Sequence, residues 1–201
     1  MKINSILIAN RGEIACRIIR TANEMGIKTI AVYEEADSNA TFVSMSDVAV
    51  KLKNGYLDAD EIVNAAKKTG ADAIHPGYGF LSENSIFARK VIRNNMIWIG
   101  PTPHVIKVMG DKIKAKELAI KANVPTLKKA ESIKDSKQLG FPLLIKAAAG
   151  GGGKGMRIVN NKNELKDAVA AAKREAKAGF DDERVFIAVS YTHLRAHETI
   201  L

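Results

Sequence analysis

The chain has 201 residues, a formal net charge of +9 and a single cysteine, Cys16. This length allows one or two hydrophobic cores, and the 46% of hydrophobic and 26% of charged residues are ordinary for a globular protein. The lone cysteine excludes an internal disulfide, and dispersed lysines with only 5% aromatic residues argue against nucleic-acid binding. No apolar run is long enough for a membrane helix and no secretion signal is evident, so we expect a cytoplasmic protein.

Short apolar segments alternate with helical patterns through the first hundred residues. The predicted strands are residues 4–9, 27–33, 48–52, 71–75 and 96–99, and the predicted helices are residues 12–25, 58–69 and 84–94. Strands that alternate with helices predict an α/β fold with a mainly parallel sheet covered on both faces. Its functional loops should lie at the carboxyl ends of the strands, at residues 10–13, 34–37 and 75–84.

The Gly-Pro-Thr-Pro turn at residues 100–103 marks a break in the pattern. We divide the chain into a first domain at residues 1–110, a second at 111–187 and a tail at 188–201. Asp111 should cap a helix that begins at Lys112 and ends near Ala122. The later predicted elements are strands at 141–147, 156–159 and 184–189, a helix at 164–177 and a glycine loop at 150–155.

The most informative local feature is the segment Ile-Lys-Ala-Ala-Ala-Gly-Gly-Gly-Gly-Lys-Gly-Met at residues 145–156. Consecutive glycines let backbone N–H groups approach an anion, and Lys146 and Lys154 add positive charge. The pattern predicts a mobile lid over a polyphosphate, with a flexible hairpin connection as the alternative. It is neither a Walker loop nor the Gly-x-Gly-x-x-Gly fingerprint of dinucleotide-binding oxidoreductases.

Four motifs in order resemble the biotin carboxylase family. They are Ile-Ala-Asn-Arg-Gly-Glu-Ile-Ala at residues 8–15, His-Pro-Gly-Tyr-Gly-Phe-Leu-Ser-Glu-Asn at 75–84, Met-Gly-Asp-Lys at 109–112 and the glycine loop. The similarity runs from about residue 3 to residue 187. The resemblance implies a Rossmann-like parallel-sheet N-terminal domain followed by an incomplete ATP-grasp domain.

The resemblance also implies ATP-dependent carboxylation of biotin on a carrier protein, with bicarbonate activated as carboxyphosphate. The implied ATP-binding residues are Lys112, Lys146, Gly152 and Gly153, and the possible lid adds Gly150, Gly151, Lys154 and Gly155. The implied cofactors are ATP and Mg²⁺, with biotin as the carried substrate, while the catalytic residues and metal ligands are expected outside this chain. The implied partners are the biotin carboxyl carrier protein and the carboxyltransferase, and the intact protein is expected to form a homodimer.

Polar residues of the first-domain motifs are expected to have structural roles, because polar side chains in tight loops commonly satisfy backbone groups. Arg11 and Glu13 should either pair or brace their loop, and Glu83 should hold the loop at residues 75–84. We expect His75 to be a scaffold residue, because the following proline keeps its backbone extended. Cys16 should be packed within the first helix.

Three stretches differ from the family pattern. Ala149 stands where many members have a glycine, a variant closer to the acyl-CoA carboxylase branch, and residues 50–56 are shorter than the usual loop. Residues 188–201 do not resemble the family, and we hypothesise that they derive from a truncated or misassembled reading frame. His193 and His197 lie four apart in this tail, but without a third ligand they do not predict a metal site.

A half ATP-grasp domain leaves a sheet unfinished, so we expect residues 1 to about 100 to fold and the region after 111 to be loosely ordered or prone to aggregation. The chain alone should be inactive. Two alternatives remain, another ATP-grasp ligase such as a carbamoyl-phosphate or purine-pathway enzyme, and a non-catalytic nucleotide-binding fragment. The sequence does not determine whether the final acceptor is acetyl-CoA, propionyl-CoA, methylcrotonyl-CoA or pyruvate.

Overall fold

The computed structural model describes residues 2–126, 129–130, 136, 139–149 and 156–190. The chain forms two compact units, Met1–Lys107 and Val108–Leu201. Among the described residues, no helix combines the length and the apolar character needed to cross a membrane.

The first unit is built around a five-stranded parallel sheet with the strand order β3-β2-β1-β4-β5. Its strands are β1 (Ser5–Ile8), β2 (Lys28–Tyr33), β3 (Val48–Lys51), β4 (Ala73–His75) and β5 (Ile97–Trp98). Its helices are α1 (Gly12–Glu24), α2 (Thr41–Met45), α3 (Ala59–Thr69) and α4 (Ser85–Arg93), with a 3-10 helix at Glu35–Asp37, and α5 (Pro103–Gly110) continues into the second unit. The predicted α/β class and parallel sheet are therefore confirmed.

Hydrophobic cores lie on both faces of this sheet because neighbouring strand residues point to opposite faces. In β1, Leu7 belongs to a core with Ile62 of α3 and Phe87 of α4, whereas Ile6 and Ile8 belong to a second core with residues of α1 and α2. All four residues of β1 are buried, so the short apolar run at the start of the chain is the central strand of the sheet. Both cores hold the carboxyl ends of the strands, and the loops that follow them, in fixed positions.

The second unit contains a four-stranded antiparallel sheet with the strand order β6-β9-β7-β8. Its strands are β6 (Lys129–Ala130), β7 (Leu143–Ala147), β8 (Arg157–Val159) and β9 (Val185–Val189), and its helices are α6 (Lys112–Lys121) and α7 (Lys162–Phe180). Asp111 caps α6 by accepting hydrogen bonds from two backbone N–H groups, as predicted. Residues 188 and 189 of the proposed tail belong to β9, and residues 191–201 lie outside the described part of the chain.

One face of this second sheet packs on α7. Leu143 and Ile145 of β7 form a core with Leu165 and Ala172 of α7. The alternate residues of β7, Leu144 and Lys146, therefore point to the other face. The sequence-based expectation that this region is loosely ordered in solution stays a prediction.

Candidate nucleotide-binding site

The three loops predicted to meet at the carboxyl edge of the parallel sheet do lie together. Asn10, which is 1% exposed, follows β1 and donates through Nδ2 to the carbonyl oxygens of Pro76 at 2.7 Å and Tyr78 at 2.8 Å. Its Oδ1 accepts a hydrogen bond from the backbone N–H of Arg11 at 2.9 Å. Asn10 thus fixes the loop after β1 against the loop after β4, a role that the sequence analysis did not assign to it.

The Arg11 side chain pairs with Asp37, not with Glu13. Its Nε donates to Asp37 Oδ2 at 2.6 Å and its terminal nitrogen contacts Oδ1, while the Tyr56 hydroxyl donates to Oδ2 at 2.5 Å. The hydrogen bond from Arg11 outweighs the effect of burial and lowers the pKa of Asp37. The Tyr56 ring also lies under the Arg11 guanidinium, 6.0 Å from its centroid. This network braces the loop, and nothing in the sequence around Tyr56 had indicated its part in it.

The other polar residues of the first-unit motifs have mixed roles. Glu13 accepts a hydrogen bond from the Tyr78 hydroxyl, so it braces the second motif. His75 is half-buried and its Nδ1 accepts from the backbone N–H of Gly77 at 3.0 Å, and burial lowers the pKa of its imidazole. Glu83 is exposed and its side chain makes no hydrogen bond or ion pair with the described residues. Among these residues it therefore does not hold the loop at residues 75–84, as the sequence analysis had expected. Cys16 is half-buried and packs against the core beside α1.

Lys146 occupies the face of the second sheet that is turned away from α7. In the antiparallel register it lies opposite Phe186, and its neighbour Leu144 lies opposite Ile158 of β8. Paired residues share a face, so Lys146 stands among the apolar side chains Leu144, Ile158 and Phe186. A cation on a largely apolar surface suits a ligand that combines a flat apolar base with anionic phosphates.

Lys112 begins α6, and its backbone N–H donates to the carbonyl oxygen of Ala148 at 3.2 Å. Ala148 follows β7, two residues after Lys146. The structure therefore brings the start of α6 to the end of β7, and with it the two lysines that the sequence analysis assigned to ATP.

The remaining residues of the expected site are the glycine loop Gly150, Gly151, Gly152, Gly153, Lys154 and Gly155, which lies outside the described residues. The same holds for His193 and His197. Within the described ranges, no group of three or more His, Cys, Asp or Glu side chains could hold a metal ion. We therefore assign no Mg²⁺ ligand to the described side chains.

Two family models match the chain. The model described as biotin carboxylase, N-terminal domain, matches residues 2–106. The model described as carbamoyl-phosphate synthase L chain, ATP binding domain, matches residues 111–200 and so extends beyond residue 187. Together these two matches cover most of the chain, including most of the segment that the sequence analysis set apart as a tail.

Curated relatives are similar over nearly the whole chain. The methylcrotonoyl-CoA carboxylase subunit alpha of Dictyostelium discoideum is 50% identical over 96% of this chain and 30% of the relative. The propionyl-CoA carboxylase alpha chain of Ruegeria pomeroyi is 48% identical over 92% of this chain and 29% of the relative. The chain thus spans about three-tenths of these relatives. Both relatives are named for other acyl-CoA substrates, so they give no specific support for acetyl-CoA, one of the acceptors that the sequence left open.

Solved structures of biotin carboxylases are also similar to this chain. The biotin carboxylase domain of Hydrogenobacter thermophilus 2-oxoglutarate carboxylase, in complex with MgADP, ADP and bicarbonate, matches with a TM-score of 0.88 at 41% identity. That match covers 96% of this chain and 45% of the solved chain. The biotin carboxylase of Campylobacter jejuni, in a β-γ-ATP complex, matches with a TM-score of 0.89 at 41% identity, over 94% of this chain and 45% of that one.

Proposed function

Because this chain belongs to the biotin carboxylase family, we propose that it contributes to the ATP-dependent carboxylation of biotin. In that reaction bicarbonate is activated as carboxyphosphate and the carboxyl group passes to biotin on a carrier protein. The observation that carries the proposal is the match at a TM-score of 0.88 to a biotin carboxylase domain bound to MgADP and bicarbonate. The chain would supply the N-terminal domain and the first part of the nucleotide-binding domain.

The described residues that support ATP binding are the two lysines at the end of β7 and the start of α6. Phosphoryl transfer requires cations beside the phosphate oxygens and a site that excludes water. Lys146, on the sheet face turned away from α7, and Lys112, joined to the end of β7 by its backbone, are suited to contact one nucleotide. We propose that Gly152 and Gly153 close over the phosphates and that Gly150, Gly151, Lys154 and Gly155 complete the lid.

The other parts of the reaction are proposed to lie outside this chain. Mg²⁺ would neutralise the phosphate charge, held by carboxylates from the rest of the ATP-grasp domain. A biotin carboxyl carrier protein and a carboxyltransferase are the proposed partners, and the intact protein is proposed to be a homodimer in the cytoplasm. Since the chain covers 45% of the solved biotin carboxylase chains, we expect it to bind nucleotide without carboxylating biotin.

The test is a calorimetric titration of this chain with ATP, in the wild type and in the Lys146→Ala variant. A hydrogen bond to a charged group contributes about 1.5–3 kcal/mol, so we expect the Kd of the variant to rise roughly 10- to 100-fold. The matched control is Lys166→Ala, because Lys166 is exposed on α7, the helix that covers the opposite face of the sheet. Equal affinities for wild type and Lys146→Ala would remove Lys146 from the site.

A second assay separates the alternatives. Bicarbonate- and biotin-dependent ATP hydrolysis should be absent with this chain, and should appear when the corresponding segment of a complete biotin carboxylase is replaced by residues 1–187. The match to a carbamoyl-phosphate synthase ATP-binding domain is the observation that favours another ATP-grasp ligase. A chimaera that hydrolyses ATP without responding to biotin would support that alternative.

A further inference from the structure

Three segments of the second unit meet around the ion pair of Asp111 with Arg184. Asp111 Oδ1 accepts hydrogen bonds from the backbone N–H groups of Ile113 at 3.0 Å and Lys114 at 3.1 Å, which fixes the first turn of α6. Asp111 Oδ2 accepts from Arg184 Nη2 at 3.1 Å. A single carboxylate thus joins the start of α6 to the residue that precedes β9.

Two backbone hydrogen bonds complete a ring through the end of β7. The Ala148 N–H donates to the carbonyl oxygen of Arg184 at 2.8 Å, and the Lys112 N–H donates to the carbonyl oxygen of Ala148 at 3.2 Å. Hydrogen bonds thus link Lys112 to Ala148, Ala148 to Arg184 and Arg184 to Asp111. The ring closes because Asp111 precedes Lys112 in the chain. We call these four residues the lysine clamp.

The orientation of the Arg184 guanidinium is fixed from its other side. Asp182 accepts from Arg184 Nε at 3.0 Å and from Nη2 at 2.5 Å. The Arg184 side chain is nonetheless 51% exposed, whereas the Asp111 side chain is 14% exposed. Ion pairs with so exposed a partner contribute little to global stability, so the extensive bonding of Arg184 calls for a different explanation from stability alone.

We propose that Asp111 and Arg184 are positioning residues for the nucleotide, which hold Lys112 at a fixed distance from Lys146 so that both lysines contact the same ATP. The inference rests on the proposed function, because it takes Lys112 and Lys146 as nucleotide contacts. Its physical basis is that the start of α6 and the end of β7 belong to separate elements, which the clamp links among the described residues. Loss of the side-chain pair leaves the start of α6 free to shift relative to the end of β7, and small displacements of binding groups weaken binding strongly.

The experiment is an ATP titration of the full chain carrying Arg184→Gln, with Arg174→Gln as the matched control. Arg174 is exposed on α7, so its replacement changes the net charge equally. We expect the Kd for ATP to rise about tenfold in Arg184→Gln, by analogy with the loss of affinity when the hydrogen-bond partners of metal ligands are removed. Arg174→Gln should bind like wild type, and Arg184→Lys should recover part of the loss.

A double-mutant cycle distinguishes positioning from a merely structural role. If Arg184 acts through Lys112, Arg184→Gln should weaken binding in the wild type but have almost no further effect in a Lys112→Ala background. Independent effects that multiply in the double variant would overturn the inference. If Arg184→Gln does not fold, Asp111→Asn serves instead, because asparagine keeps the helix cap and loses the charge.

The outcomes also separate this inference from the proposed function. Wild-type chain that fails to bind ATP overturns both. Wild-type chain that binds ATP, with unchanged Kd in Arg184→Gln and Asp111→Asn, overturns the positioning role alone and leaves the nucleotide site intact.

Discussion

Replacement of Asn10 by alanine should destabilise the first unit more than most single substitutions of a polar residue do. Asn10 is 1% exposed and makes three hydrogen bonds, two to carbonyl oxygens of the loop after β4 and one to the backbone N–H of Arg11. Alanine removes all three. It also leaves the buried carbonyl group of Pro76 and the partly buried carbonyl group of Tyr78 without these donors.

The size of the effect follows from these bonds. Each hydrogen bond contributes about 0.5–1.5 kcal/mol net, and unpaired buried partners raise the loss further, so we expect about 3 kcal/mol in total. A domain of this size is stable by about 5–15 kcal/mol. With a urea m-value of about 1.5 kcal/mol/M, the unfolding midpoint should fall by about 2 M.

Trp98 provides the assay, because it is the only tryptophan in the chain. It is 9% exposed, packs edge-on against Phe87 at 5.6 Å and donates from Nε1 to the carbonyl oxygen of Pro101 at 2.9 Å. Its fluorescence therefore reports unfolding of the first unit in a urea titration. The control is Asn23→Ala, an exposed position in α1, where alanine should raise the midpoint slightly through helix propensity.

Asn10→Asp refines the test, because it keeps the acceptor and removes both donors. At neutral pH the carboxylate should repel the two carbonyl oxygens, so the variant should be no more stable than Asn10→Ala. Burial raises the pKa of such a carboxyl group in the folded state, so the stability of the variant should rise relative to wild type as the pH falls towards about 4. A midpoint shift below about 0.5 M for Asn10→Ala, or a pH-independent difference for Asn10→Asp, would refute the reasoning.

Two further expectations concern the same edge of the sheet. A Cβ at Gly77 would lie 2.7 Å from Asn10 Nδ2 in a backbone with φ of +64°, whereas a Cβ at Gly26, with φ of +68°, would meet nothing within 4 Å. Gly77→Ala should therefore lower the free energy of unfolding by about 2–4 kcal/mol and Gly26→Ala by about 1 kcal/mol. Equal urea midpoints for the two variants would contradict the packing argument. Arg11 holds the pKa of Asp37 below its usual range, so the stabilisation by Asp37 should be complete above about pH 4 and lost as the pH falls through the lowered pKa. Asp37→Asn should flatten that part of the acid unfolding curve, and a curve parallel to that of wild type would argue against the pair.

Local patterns in the sequence were sufficient for the five strands and for α1, α3 and α4 of the first unit, whereas α2, α5 and the strand order of the sheet were not predicted. The apolar run before Asn10 predicted a buried strand, and the helical spacing after Gly12 predicted α1, because burial and periodicity are written into consecutive residues. The cap at Asp111 was equally local. The motifs around Asn10 and His75 also led to the right family, and the parallel sheet implied that their loops would meet.

The partners of the polar side chains were decided by tertiary structure. Arg11 pairs with Asp37 and Tyr56, and Arg184 pairs with Asp111, 73 positions earlier in the chain. Such pairs carry no local signal in the sequence, because an arginine can reach any carboxylate that folding brings near. Glu13 is close to Arg11 in the sequence, yet Asp37 is the carboxylate that Arg11 contacts. The sequence by itself determined which loops are placed at the strand ends, and packing of the cores decided which side chains face one another there.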